Sequence, residues 1–334
     1  MSGKYLMRRS NMDHRKLDPQ SEKLLKQIAA RMNELQHPPL DSLTPEMSRY
    51  YYDEARAYFS PIVSAHIRST ERRIGIHQIP IRIYQLEGLQ DLPVFVYMHG
   101  GGWVFGDLDS SEAFCQYIAE QCKCIVISVG YRLAPEHKYP AALMDTIDAI
   151  LWTVEHISSY GGDINRLSIG GESSGANLAA AACIALHQKV SIHHQFLINP
   201  VTNYSFDSPS YLENYQFNLT AEKMKWFWHH YLKTSNDGKE PFASPLQVAD
   251  QIAANLPQAL IVTVEYDPLR SEGEAYANKL KRNGVNVTHL QYEKLVHSFI
   301  NMIGEVNVAK KAVDDMLFHM KQHLDTEKVE VITP

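Results

Sequence analysis

The sequence predicts an α/β fold, with a mostly parallel central sheet and helices on both of its faces. Six short, nearly continuous apolar runs carry this: LPVFVYMH, CIVISVGY, RLSIGG, HQFLINP, ALIVTVEY and VTHLQY. Runs of this kind read as strands buried on both faces, unlike the alternating pattern of a half-solvated sheet. Helical segments stand between them, among them SEAFCQYIAEQC, AALMDTIDAILWTVEHI, SSGANLAAAACIALHQK and EAYANKLKRNG. Alternation of the two implies βαβ units. In such a sheet a ligand sits beyond the carboxyl ends of the strands, so the residues just after each run are the candidates for chemistry.

The remaining elements follow from local signals. The first sixty residues read as two helices, SEKLLKQIAARMNELQ and LTPEMSRYYYDEARAYFS, separated by HPPLD, whose tandem prolines stop the first. From about Arg72 the pattern alternates, with Ile74, Ile76, Ile79, Ile81 and Ile83 apolar, which predicts an antiparallel, half-buried pair of strands. Residues 202–246 break the alternation as a long, aromatic-rich insertion carrying a helix, TAEKMKWFWHHYLK. A connection of this length usually has a function or structure of its own. The expected organisation is a helical cap segment over residues 1–65, a catalytic core over 66–201 and 247–334, and a lid over 202–246.

Composition narrows the function classes. A chain of 334 residues, 45% apolar, can bury a large core. Its longest apolar run, Leu178 to Leu186, is about half of a bilayer span, so no membrane span is expected. The N-terminal MSGKYLMRRSNMDHRK has no apolar signal-peptide core. Cys115, Cys122, Cys124 and Cys183 form no metal-site spacing and read as reduced thiols of a cytoplasmic protein. A formal net charge of −6 argues against a nucleic-acid partner. No repeat or low-complexity tract is present.

The chemistry begins at Gly171-Glu172-Ser173-Ser174-Gly175, a G-x-S-x-G pattern directly after the run RLSIGG. Glycines are needed two residues either side of the serine because the turn is too sharp for side chains there. Average composition gives such a pentapeptide by chance about one time in ten in a chain of this length, so its strand-to-helix position carries more weight than the match. The register selects Ser173, since Glu172 and Ala176 occupy the places where a turn centred on Ser174 would need glycine.

A serine hydroxyl needs a base, and the base an orienting acid. Asp267-Pro268 follows ALIVTVEY, and the proline disfavours a helical conformation at the aspartate. His297 follows VTHLQY within EKLVHSF, in a loop before the last helix. The chain order serine, acid, histidine is that of α/β-hydrolases. Sixteen histidines dilute the signal, and His297 stands out only by position. His289 reads as packed or surface, and His229 and His230 as part of the lid. After LPVFVYM comes His99-Gly100-Gly101-Gly102-Trp103, where consecutive glycines let backbone amides approach a developing oxyanion, each donor contributing roughly 3 kcal/mol. His99 is expected to tie this loop down.

Five ordered blocks, HGGGW, YRLAPEHKYPAALMD, GGDINRLSIGGESSGANLAA, EYDPLR and VHSF, together resemble the hormone-sensitive lipase family of α/β-hydrolase carboxylesterases over about residues 75 to 320. The resemblance implies Ser173 as nucleophile, Asp267 as acid and His297 as base. It also implies an oxyanion hole from the amides of Gly101, Gly102 and Ser174, and a helical cap from the N-terminus and the insertion. The chain departs from the family pattern at Glu172, Ser174, Lys294 and Ser298, where the family commonly has Asp, Ala, Gly and Gly. Glu172 is expected to brace the elbow through a hydrogen bond. Tyr131 and Arg132 are expected to anchor the chain behind the oxyanion loop. Tyr50, Tyr51, Tyr52, Phe59, Trp226, Phe227 and Trp228 are expected to hold the cap to the core, some also lining the acyl site.

The expected activity is hydrolysis of short- to medium-chain acyl esters through an acyl-enzyme, with no cofactor and no metal. The partner is a small-molecule ester, and a homodimer is left open. The alternatives are a deacetylase or amidase with the same triad, or a non-catalytic ligand-binding protein on this fold.

Overall fold

The computed structural model describes residues 16–59, 66–213 and 216–325. Residues 1–15 and 60–65 of the expected cap segment, 214–215 of the insertion and 326–334 of the core lie outside the described residues. In chain order α1 (Pro19–Glu34) and α2 (Pro45–Arg56) precede β1 (Ile67–Ile74), β2 (Ile79–Leu86) and β3 (Leu92–Met98). Next come α3 (Glu112–Cys122), β4 (Ile125–Val129), α4 (Ala141–His156), β5 (Gly162–Glu172), α5 (Ser174–Ala185) and β6 (His194–Ile198). The insertion carries α6 (Pro209–Glu213) and α7 (Ala221–Tyr231). After it follow α8 (Asp250–Ala253), β7 (Gln258–Tyr266), α9 (Arg270–Arg282), β8 (Val287–Val296) and α10 (Asn307–Leu324).

The strands form one eight-stranded sheet in the order β1-β2-β4-β3-β5-β6-β7-β8. β2 runs antiparallel to both β1 and β4, and every pairing from β4 to β8 is parallel. Central β3 is buried along its whole length, because β4 and β5 flank it and apolar layers cover both faces. One layer includes α4, α5 and α9 through Ile150, Leu178 and Tyr276, and the other α3 and α10 through Ile118 and Met316. In α5 the run Ser174 to Ile184 is entirely buried, and its small side chains let the helix axis lie close to the sheet.

The N-terminal helices start as the sequence predicts. Asp18 accepts the Gln20 and Ser21 amides ahead of Pro19, and Thr44 accepts the Met47 amide ahead of Pro45. Arg31 bonds Glu54 at 2.8 Å between the two helices. Arg49 fastens α2 to the core, donating to the carbonyls of Val104 and Ala134 and to the Glu136 carboxylate.

Two strand boundaries differ from the sequence expectation. β1 begins at Ile67 rather than near Arg72, because IRSTERR lies at the sheet edge and neither face demands regular apolar spacing. Ile76 does not join the alternation: it is 89% exposed, in the turn between β1 and β2. β8 runs on through Val296, so His297 leaves directly from a strand end.

The insertion is pinned at both ends. Glu272 accepts the Thr202 amide at 2.7 Å, and Asn177 Nδ2 donates to the carbonyls of Val201 and Ala243 at 3.0 and 2.8 Å. Its helix α7 reaches across the molecule. Tyr231 stacks on Trp103 with ring centroids 4.1 Å apart, Trp228 packs beside it, and Trp226 donates to the Leu43 carbonyl. Among the described residues no helix is long and apolar enough to cross a membrane.

Candidate active site

The elbow is built by contact. β5 ends at Glu172 and α5 begins at Ser174, leaving Ser173 at φ 57°, ψ −119°. An L residue is held there only by its surroundings, at a cost of roughly 1–3 kcal/mol. Those surroundings are backbone. A Cβ on Gly171 would stand 2.3 Å from the Met98 carbonyl oxygen, and one on Gly175 2.0 Å from the same atom. The Ser173 amide donates to the Ile198 carbonyl at 2.8 Å, fixing the turn to the neighbouring strand β6.

Three strand ends then converge. Ser173 from β5, Asp267 after β7 and His297 after β8 form one chain of contacts. His297 Nε2 is 2.9 Å from Ser173 Oγ, and His297 Nδ1 is 2.8 Å from Asp267 Oδ2. The other aspartate oxygen accepts the Leu269 amide at 2.9 Å, which orients the carboxylate. All three residues are buried. Burial opposes a charged imidazole at His297, but the Asp267 charge and hydrogen bond, with the Glu172 charge, raise its pKa above the ordinary histidine value.

Residues 99–102 cross the same opening. Gly101 and Gly102 have φ of 119° and 59°, and among the described residues the amides of Gly101, Gly102 and Ser174 donate to no backbone carbonyl of the loops. A Cβ on Gly102 would lie 2.2 Å from the Phe227 ring of α7, so the insertion closes directly over this loop. His99 stays neutral, its pKa pushed down to about 4 by burial. It stacks on Tyr131 with centroids 4.2 Å apart. Tyr131 donates to the His99 carbonyl, while Arg132 forks onto buried Asp145 at 2.7 to 3.0 Å. Both therefore brace the loop from behind, as the sequence suggests.

A cavity of about 290 Å³ lies over Ser173 and His297. Tyr51, Tyr52, Trp226 and Phe227 line it. The other expected aromatics do not: Tyr50 is half exposed, Trp228 is buried against Trp103, and Phe59 packs on the core. A wider groove of about 690 Å³ between α4, α5 and Phe242 contains none of the converging residues. Among the described residues no cluster of His, Cys, Asp or Glu has the form of a metal site. The four thiols are unpaired and buried, and burial pushes Cys115 and Cys122 up to about 12.

Glu172 corrects one expectation. Its carboxyl does not brace the elbow: Oε1 has no hydrogen-bond partner, and Oε2 lies where a Cβ on Gly100 would be 2.6 Å away. Burial raises its pKa, against the opposing influence of His297 and Ser298. Lys294 and Ser298 adopt φ of 63° and 64°, so the histidine loop keeps a glycine-like path without glycine. Asn218, which sequence reasoning missed, donates to the His297 carbonyl at 2.8 Å. Its left-handed φ of 45° fits asparagine, the one local signal that it carries.

Comparison with known proteins agrees with this architecture. A family model described as the alpha/beta hydrolase fold matches residues 95–301. The chain is 35% identical over 256 residues to the carboxylic ester hydrolase LipN of Mycobacterium tuberculosis, covering 74% of this chain and 68% of that protein. It is 32% identical over 301 residues to an ethyl acetate hydrolase of Pseudomonas putida, covering 86% and 92%. The crystal structure of a thermostable esterase from Pseudomonas putida superposes with a TM-score of 0.85 at 30% identity, covering 93% of this chain and 98% of that one. With family model, sequence relatives and solved structure in agreement over most of its length, the chain belongs to the α/β-hydrolase family, within the hormone-sensitive lipase group of carboxylesterases.

Proposed function

We propose that this protein is a serine carboxylesterase acting on short- to medium-chain acyl esters, with Ser173 as nucleophile, His297 as general base and Asp267 as the orienting acid. The observation that carries it is the contact chain from Asp267 through His297 to Ser173, lying under an aromatic-lined cavity. The catalysed reaction is ester hydrolysis in two halves. His297 Nε2 takes the Ser173 proton as Oγ attacks the ester carbonyl, and the oxyanion is received by the amides of Gly101, Gly102 and Ser174. His297 returns the proton to the departing alcohol. Water, deprotonated by the same imidazole, then releases the acid and frees Ser173. Asp267 holds Nδ1–H and stabilises the imidazolium in both halves.

The cavity volume favours short and medium acyl groups, since about 290 Å³ is at the small end for a ligand pocket. Residues 16–59 and the insertion supply much of its lining and act as the cap. The test is hydrolysis of p-nitrophenyl esters from acetate to palmitate, with Ser173→Ala as control. The expected profile peaks at short to medium chains and vanishes in the variant. Undiminished activity of Ser173→Ala would overturn the nucleophile, and a maximum at palmitate would overturn the chain-length reading.

A further inference from the structure

We propose that Glu172, together with Ser298, is a positioning residue for His297, a second acidic arm that acts on the imidazole alongside Asp267. This presupposes Ser173 as nucleophile and His297 as base. Glu172 immediately precedes the one, Ser298 immediately follows the other, and both border the cavity. The two sequence neighbours of the reacting residues line one cavity with Ser173 and His297, and the nearby Ser298 side chain favours the ionised form of the Glu172 carboxyl.

The carboxyl is costly where it stands. Glu172 is 5% exposed and its Oε1 has no hydrogen-bond partner. A buried polar atom in that condition is destabilising, the more so when charged. Glutamine or an apolar side chain would avoid part of this cost, so retention of an acid points to use of its charge. Space is reserved for it as well. Gly100 has an ordinary φ, yet a Cβ there would collide with Oε2, so one glycine of the His99–Gly102 run makes room for Glu172. The groups that face the carboxyl are the His297 imidazole, the Asp267 carboxylate, the Ser298 hydroxyl and the phenols of Tyr52, Tyr97 and Tyr131. His297 alone among them can become a cation, so an ionised Glu172 acts chiefly on the imidazolium. The two family departures at Glu172 and Ser298 thereby become one feature, a longer acid and a hydroxyl bordering the same cavity.

The experiment is the pH dependence of kcat/KM for p-nitrophenyl butyrate in wild type, Glu172→Gln, Ser298→Ala and the double variant. Glu172 charge favours the imidazolium, and the base works as neutral imidazole. Glu172→Gln is therefore expected to move the acid limb to lower pH, retaining about threefold more of its plateau activity at the foot of the limb. Its plateau kcat is expected to fall about tenfold, with KM little changed. Ser298→Ala is expected to move the limb in the same direction by less, and to add nothing in the double variant. A thermal melt separates a local effect from misfolding, with Glu172→Gln expected at or above wild type. An acid limb unmoved in Glu172→Gln, or fully additive effects of the two changes, overturns the proposal. If Glu172→Gln fails to fold, an unmoved limb in Ser298→Ala overturns it. Residual activity in Ser173→Ala would instead overturn the triad roles, a distinct result.

Discussion

Gly175 lies directly against the Met98 carbonyl: a Cβ on the glycine would stand 2.0 Å from that oxygen. Met98 ends β3, which is paired on both sides by β4 and β5, so the carbonyl has nowhere to move. Gly175→Ala is therefore expected to cost about 3 kcal/mol or more of stability, the upper range for overpacking. Urea unfolding measures it. A loss under 1 kcal/mol would show that the elbow can relax.

The contact between Gly102 and Phe227 is softer, because a side chain can rotate where a carbonyl cannot. Gly102→Ala is expected to lower kcat by about 10²-fold, by displacing an amide of the proposed oxyanion hole. Removing the obstructing ring, as Gly102→Ala/Phe227→Ala, is expected to restore part of that loss. The cost of alanine at φ 59° remains in both, so recovery stays incomplete. Steady-state kinetics on one ester decides it, and absence of any recovery would count against the steric account.

The pH profile follows from His297. Its pKa is raised above the ordinary histidine value, against burial, by Asp267 and Glu172. As the proposed base, His297 must be neutral, so kcat/KM is expected to fall on the acid side through a pKa above that value. Asp267→Asn removes a charge that favours the imidazolium, moving the limb to lower pH. It also disturbs the tautomer, so kcat is expected to fall by about 10³–10⁴-fold. A pH–rate series on both proteins checks the sign and the size.

Arg132 and Asp145 give a stability prediction away from the reacting atoms. Asp145 is fully buried and receives both the Arg132 guanidinium and the Arg132 amide. Arg132→Met leaves that carboxylate with one donor, at an expected cost of about 3–5 kcal/mol. Asp145→Asn/Arg132→Met is expected to recover some of it. Thermal melts of the three proteins distinguish this from a pair that contributes nothing.

Most of the fold and the three converging residues were legible in the sequence for physical reasons. Buried parallel strands leave continuous apolar runs, and Ser173, Asp267 and His297 stand just after three of them. The glycine register around Ser173 was legible because backbone contacts enforce it. What could not be read depends on neighbours distant in sequence. Asn218 touches His297 only because the insertion folds back over the strand ends, and the Glu172 carboxyl lies against Gly100, on a loop distant in sequence. The start of β1 escaped notice because an edge strand carries charges on both faces. Lys294 and Ser298 concealed a left-handed path that glycine would have announced.

The stacking of Tyr231 on Trp103 makes the insertion a structural participant in the loop that bears Gly101 and Gly102. Grafting a foreign lid onto this scaffold to change substrate range would thus disturb turnover as well as selectivity. Trp103, Trp228 and Tyr231 pack as a single unit. Libraries that redesign the cavity should diversify Tyr51 and Trp226 while moving Trp103, Trp228 and Tyr231 only as a set.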